Sequence, residues 1–190
     1  MNIFYLHSDP KICAQMHIDK HVVKMIIEYA QLMSTAHRFL DGIGDRFKSA
    51  NGRTVIRFTM QNPILEESLM KASHIKHPSA IWTRANKSNY FWIYSLWFYL
   101  CKEYTYRYGK IHSVEKRLGD AISFAPSRIR TGSFYSPPLA MPDECKILND
   151  PIASYRKYYI EHKSSFAKWT KRDMPSWFSE GMKTIDLLSE

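Results

Sequence analysis

Residues 16–31 read MHIDKHVVKMIIEYAQ, and the reading of this stretch decides the fold. Ile18, Val22, Met25, Ile26, Tyr29, Leu32, Met33 and Ala36 recur at steps of three and four, the spacing of one helix face. The pattern predicts a helix from about Pro10 to Leu40. Ser8 or Asp9 would cap its start, and the glycines of DGIGD (41–45) would end it. A second stripe runs beside the apolar one. His17, His21, Lys24, Glu28 and Gln31 share a face, with Lys20 and Thr35 at its flanks. Lys and Glu fill most solvated helix faces, so two histidines one turn apart are unusual.

Three readings of that stripe compete. In the first, His17 and His21 pair on a metal, with Glu28 or His37 as third ligand. The zinc-protease pattern needs Glu directly after the first His, and HIDKH lacks it. In the second, Lys20 or Lys24 is an amine nucleophile or phosphate anchor, with Glu28 or a histidine as acid/base. In the third, the stripe is simply solvated.

Outward from the first helix, Asn2–Leu6 reads as a strand or an extended entry. NGRTVIRF (51–58) reads as a turn and a short strand. NPILEESLMKASH (62–74) reads as a helix capped by Asn62, and 79–85 as one helical turn. Ser88 is expected to cap a long helix reaching about Tyr108, closed by Gly109. Phe91, Tyr94, Phe98 and Cys101 fall on one spacing of it and are its expected core face. Residues 119–150 read as a long loop punctuated by Pro126, Pro137, Pro138 and Pro142. A last helix starts at Asp150–Pro151, and Pro175 stops any continuation. The expected fold is mainly α, a single compact domain over 1–178. It has three or four principal helices, a long Pro-rich loop and at most a minor β element, and 179–190 form a tail.

Composition bounds the function. The chain has 190 residues, 45% hydrophobic and 24% charged, which fits a folded globular protein. Its net charge is +9, and residues 51–130 carry 13 Lys/Arg against five acids, so nearly all of the excess lies there. Aromatics reach 14%. Clustered cations interleaved with rings suit a polyanion, nucleic acid first. The expected partner is DNA, double-stranded with a flipped base, or a nucleotide. Candidate contacts are His17, Gln31, Arg84, Lys87, Asn89, Arg107, Lys110, Arg128, Arg130, Lys168, Trp169, Lys171 and Arg172. Cys13, Cys101 and Cys145 are far apart, without the paired spacing of a zinc knuckle. With no signal peptide and no long apolar run, a cytoplasmic location and no membrane partner are expected. No P-loop, GxGxxG, GxSxG or DxD-type cluster is present, which disfavours nucleoside-triphosphate hydrolysis and serine-hydrolase chemistry. No cofactor or metal is expected.

DKHVVKMIIEYAQLMSTAH, HPSAIW, EYTYRYGK, LAMPDE and FAKWTKRDMPSWF together resemble an uncharacterised family encoded mainly by phages. The order of elements is also similar to the pyrimidine-dimer DNA glycosylases of the endonuclease V type. That similarity implies a compact helical domain and an enzyme acting on a nucleobase, as a glycosylase or glycosylase/AP-lyase. Phage relatives of such enzymes also serve in thymine hypermodification without strand cleavage. A non-catalytic DNA- or nucleotide-binding accessory or anti-defence protein is the remaining alternative. The glycosylase family uses the α-amine of a small residue exposed after Met removal, assisted by a glutamate on the first helix. Here residue 2 is Asn2, so Met1 is expected to stay, and the nearest helix positions are Val23 and Lys24, with Glu28 a turn later. On this reading Glu28 is the acid/base, Lys20 or Lys24 the nucleophile or phosphate anchor, and His21 an orienting or proton-transfer group.

Overall fold

The computed structural model describes residues 1–188. The first predicted helix is two helices, α1 (Pro10–Met16) and α2 (Asp19–Asp41). Asp9 caps α1, its carboxylate accepting from the Lys11 and Ile12 N–H groups. His17 and Ile18 are extended, with ψ of 133° and 156°, and break the helix between them. Arg107 holds the break open by donating to the carbonyls of Gln15 and His17 at 3.0 and 2.9 Å. It thereby serves two carbonyls that the end of α1 leaves without helical partners.

After α2 come a hairpin of β1 (Ile43–Lys48) and β2 (Thr54–Thr59), then α3 (Pro63–Ser68), α4 (Pro78–Thr83), α5 (Lys87–Tyr108) and α6 (Ser113–Ile122). The Pro-rich stretch leads to α7 (Pro151–Lys163) and α8 (Ser176–Leu188). The fold is mainly α as expected, but with eight α-helices among the described residues rather than three or four. Residues 113–122, partly assigned to loop from the sequence, form α6, capped by the His112 ring. Residues 179–188 of the expected tail belong to α8, and 189–190 lie outside the described residues; the first turns of α8 pack on the body, with Phe178 buried against Trp169 at a ring separation of 4.9 Å. The hairpin pairs antiparallel, Asp45 opposite Arg57 and Phe47 opposite Val55, and almost all of its residues are exposed.

The core lies between α2 and α5, with α4 and α6 also against α2. Ile18, Val22, Met25, Ile26, Tyr29 and Leu32 are essentially without solvent contact, as the spacing predicts. Each such apolar side chain contributes about 1.5–3 kcal/mol by leaving water. The α5 core face differs from expectation. Tyr90, Ile93, Leu96, Trp97 and Leu100 are buried, whereas Phe91 and Phe98 are 44% and 39% exposed. Cys101 is buried as expected. Apolar rings on nearly every side of α5 hide which face turns inward. Asn86, not Ser88, caps α5, its Oδ1 accepting from the Asn89 N–H, while the Ser88 hydroxyl donates to the Gly132 carbonyl.

Helix α3 ends early because buried Arg38 gathers the carbonyls that follow. Its guanidinium donates to the carbonyls of Glu66, Leu69, Met70 and Phe58 and to the Glu66 carboxylate. All five N–H donors of the fork are thereby used. The cysteines are all unpaired and buried. Among the described residues, no helix is long and apolar enough to cross a membrane.

Candidate functional site

The polar stripe of α2 does not face bulk water along its length. His21, Lys24 and Glu28 line a cleft of about 170 Å³. Met1, Asn2 and Phe4 close it on one side, Tyr158 and Lys163 of α7 on another. Ligand pockets run about 300–1,000 Å³, so this cleft suits a sugar or the edge of a base rather than a whole nucleotide. A cavity of about 500 Å³ lies at the other end of α2, where Ile64, Leu65 and Phe124 line it. His37, on its wall, has its Nε2 engaged by the Tyr90 hydroxyl and the Phe124 carbonyl. The smaller cleft is where amines, a carboxylate and an imidazole converge.

Three rings form its floor. His21 stacks on Phe4 at 4.2 Å, and Phe4 lies near-parallel to Tyr158 at 6.2 Å. The Lys163 ammonium sits 4.5 Å over the Tyr158 ring, a cation–π placement. Lys24 and Glu28 form an i, i+4 ion pair at 3.2 Å, with Lys24 68% and Glu28 21% exposed. The amine is therefore reachable from solvent and the carboxylate sits deeper beside it. His77, at the start of α4, is held below its ordinary pKa by burial, the amino terminus and His74, with Glu28 pulling the other way. Its Nδ1 accepts from the Ser79 N–H.

Both histidines of the opening stretch are held neutral by burial, each beside a tyrosine hydroxyl. Burial first, and then the nearby Lys163 and Lys24 ammoniums, push the His21 pKa down to about 2. The Tyr159 hydroxyl lies 2.6 Å from Nδ1 and its oxygen also takes the Ile18 N–H, so the hydroxyl hydrogen goes to Nδ1 and Nε2 carries the ring proton. His21 thus offers a neutral N–H donor to the cleft. His17 lies behind it, fully buried, its pKa lowered to about 4 by burial. Its Nδ1 donates to the Cys13 carbonyl at 2.8 Å, and its Nε2 meets the Tyr29 hydroxyl, which itself accepts from the Phe4 N–H. Both nitrogens are engaged, so His17 neither ligates a metal with His21 nor reaches a ligand. Gln31 also turns away, donating to the Lys71 carbonyl and the Thr35 hydroxyl. Lys20 lies outside the cleft with its ammonium 4.5 Å over Phe166.

Several expected nucleic-acid contacts are internal. Arg107 is buried and bonded to Asp19 at 2.9 Å and Glu103 at 3.2 Å. Arg172 closes on the same Glu103 at 2.6 Å. Burial alone would raise the Asp19 carboxyl, but hydrogen bonds from the Thr170 hydroxyl and N–H and from Arg107 hold it below its usual range. Trp169 is buried, its indole N–H donating to the Met16 carbonyl. The segment 168–172 is therefore a strap across the α1–α2 break; Trp169 and Arg172 belong to it, and Arg107 of α5 lies beneath it. Asn89 is buried too, donating to the Trp82 carbonyl and accepting from the Tyr135 N–H. Lys110, Lys168 and Lys171 are exposed, Lys171 donating to the Tyr106 carbonyl. Lys87 is exposed at the start of α5. Arg84, Arg128 and Arg130, distant in the chain, line one cavity with Leu40, Ile81 and Ala85.

Sequence reasoning missed Phe4, Tyr158 and Lys163 as cleft residues. The only sequence signal for the last two was the basic, aromatic character of 155–178. One cluster with metal-ligating atoms occurs among the described residues, Cys145, Glu161 and His162 within 4.8 Å of one another. The Cys145 thiol donates to Glu161, and burial with the nearby carboxylates pushes its pKa up to about 11. No family model, curated protein or solved structure matches the chain.

Proposed function

We propose that the protein is a DNA-processing enzyme that acts on a nucleobase, as a glycosylase or glycosylase/AP-lyase, at the α2–α7 cleft. The observation that carries this reading is the placement of Lys24, Glu28 and the neutral His21 together in a cleft floored by stacked rings. An extruded base needs polar groups at its edge and a ring to lie on; the cleft supplies the polar groups, and half-buried Tyr158 is the ring with surface left for a base, since Phe4 and His21 are buried in their own stack. Met1 and Asn2 share the cleft with Glu28. The glycosylase resemblance asks for its terminal residue and its glutamate to meet in that way, although it calls for a small residue where Asn2 stands.

The chemistry runs on this chain's own side chains. Glu28 takes a proton from the Lys24 ammonium. The freed amine adds to C1′ as the glycosidic C–N bond breaks, and Glu28 returns the proton to the departing base. A proton then passes from the new C1′-bound nitrogen to O4′, the sugar ring opens and an iminium remains. His21 Nε2–H donates to a carbonyl oxygen of the base. Lys163 is placed for a flanking phosphate. Lys20 supplies surface charge only.

Borohydride reduces such an iminium to a stable amine, which links enzyme and DNA. On duplexes carrying a thymine dimer or 5-hydroxymethyluracil, the wild-type chain is expected to trap, Lys24→Ala to lose trapping and Lys20→Ala to keep it. Unchanged trapping by Lys24→Ala would overturn the assignment of the amine. A changed base without strand cleavage or adduct would favour thymine modification instead. Salt-dependent binding with no product would mark a binding protein.

A further inference from the structure

We infer that Arg84, Arg128 and Arg130 form a phosphate subsite, separate from the α2–α7 cleft, that holds the DNA backbone on one side of the extruded base. The inference rests on the reading of the protein as a DNA enzyme and adds to it a defined anchoring point.

The three arginines line one cavity of about 370 Å³, floored by Leu40, Ile81 and Ala85. Arg84 leaves α4 and lays its guanidinium 4.3 Å over the Phe39 ring. That stacking fixes the fork, yet its Nη1 is buried with no hydrogen-bond partner. A buried N–H without an acceptor is costly; Nη1 itself is closed to the cavity, so an anion there meets the rest of the half-buried fork. Arg128 and Arg130 come from the Pro-rich loop, which Asp41 ties down by accepting from the Ser127 and Arg128 N–H groups at 2.6 and 3.0 Å. Arg128 Nε stands 3.7 Å from the same carboxylate and is 64% exposed. The Arg130 carbonyl accepts from the Lys87 N–H, which sets the loop against the start of α5. Asp41 pairs with Arg128 alone, and the cavity lining holds no carboxylate, so Arg84 and Arg130 bring charge that no acid there offsets. The excess of positive charge matches a phosphate.

Position supports the same ligand. Helix α4 runs from His77, which feels the Glu28 charge, to Arg84. Seven residues of helix rise about 10 Å, and Leu40 lies about 18 Å along α2 from Glu28. Phosphates of one strand recur every ~3.4 Å along the duplex axis, so the subsite falls about three to five base steps from the cleft. A terminal nucleotide phosphate could present the same oxygens, and the test separates the two sources.

The experiment measures binding of a fluorescein-labelled DNA duplex across a salt series, and of thymidine 5′-monophosphate by calorimetry. Wild type is compared with Arg84→Gln and Arg130→Gln. Arg130 is exposed, so its variant folds even where loss of the Arg84 stacking does harm. Each variant is expected to weaken duplex binding severalfold and to lower the salt slope by about one, with thymidine monophosphate unbound. If wild type ignores duplex but binds the mononucleotide and both variants lose it, the phosphate subsite stands and the DNA reading falls. If duplex binding is strong and Arg130→Gln keeps the wild-type affinity and slope, the subsite is overturned while the DNA reading survives. If wild type binds neither probe, both are overturned.

Discussion

His17 and His21 sit one turn apart in sequence and do different things. His17 locks the break between α1 and α2, and His21 presents Nε2–H to the cleft. Each stays neutral at and well below neutral pH, with pKa about 4 and about 2 against an ordinary 6.5. Below about pH 6.5 the unfolded chain takes up protons that the folded chain refuses. Stability is therefore complete above pH 6.5 and falls as the pH drops toward 4. Each histidine adds up to about 1.4 kcal/mol of loss per pH unit in that window. Urea titrations at pH 7.5, 6, 5 and 4.5 check this, and His17→Gln is expected to reduce the slope by up to about 1.4 kcal/mol per pH unit. A slope unchanged by His17→Gln would show that the imidazole titrates freely. Arg107 makes a second prediction at this scale. Arg107→Ala leaves Asp19 and two carbonyls short of a partner and is expected to cost about 3–5 kcal/mol in urea unfolding. A loss under 1 kcal/mol would mean the strap holds without it. Neither role was legible in the sequence. The histidine spacing was visible, but the burial that sets their protonation comes from the fold, and their hydroxyl partners come from positions 29 and 159. Arg107 read as a surface cation because nothing near it in the chain announces Asp19.

At the scale of elements, α2 was the most legible because its apolar stripe is unbroken, even though from Leu32 to Arg38 the helix is buried on every side. Helix α5 was legible as a helix and not as a face. Apolar rings surround it, and the choice between Trp97, buried with its N–H on the Ile26 carbonyl, and Phe98, exposed, belongs to tertiary packing. The end of α3 was hidden because Arg38 decides it from another helix. The β1–β2 hairpin stands apart from this packing. Its strands are exposed on nearly every residue, including Ile43, Phe47 and Ile56. Replacing 46–56 by an Asn-Gly turn joining Asp45 to Arg57 keeps the Phe58 contacts with Arg38 and Phe39. Such a variant is expected to unfold within about 0.5 kcal/mol of wild type. A thermal melt lowered by many degrees would show that the hairpin is part of the core.

At the scale of the molecule, the basic charge predicted from composition is divided between two uses. Part of it is consumed internally, as in Arg38, Arg107 and Arg172, each paired with a carboxylate. Part remains at the surface around two recesses, the α2–α7 cleft and the arginine cavity beside Leu40. Counting charges along the chain could not separate these, because an arginine's partner is fixed by the fold. The part of the site legible in the sequence was the α2 stripe from His21 to Glu28. The other half, from Phe4 and α7, reaches the cleft only through folding. The account stands on Glu28 acting at the glycosidic bond. The most direct measurement is glycosidic-bond cleavage, followed by mass spectrometry, in duplexes carrying a thymine dimer or 5-hydroxymethyluracil, with wild type beside Glu28→Gln. The expected result in wild type is free base from the 5-hydroxymethyluracil duplex, or at the dimer a severed bond with the base still tethered through the cyclobutane ring, and a loss of at least about a hundredfold in Glu28→Gln, the scale of a general acid/base. Equal cleavage by the two proteins, or none by wild type on either duplex, would contradict the account.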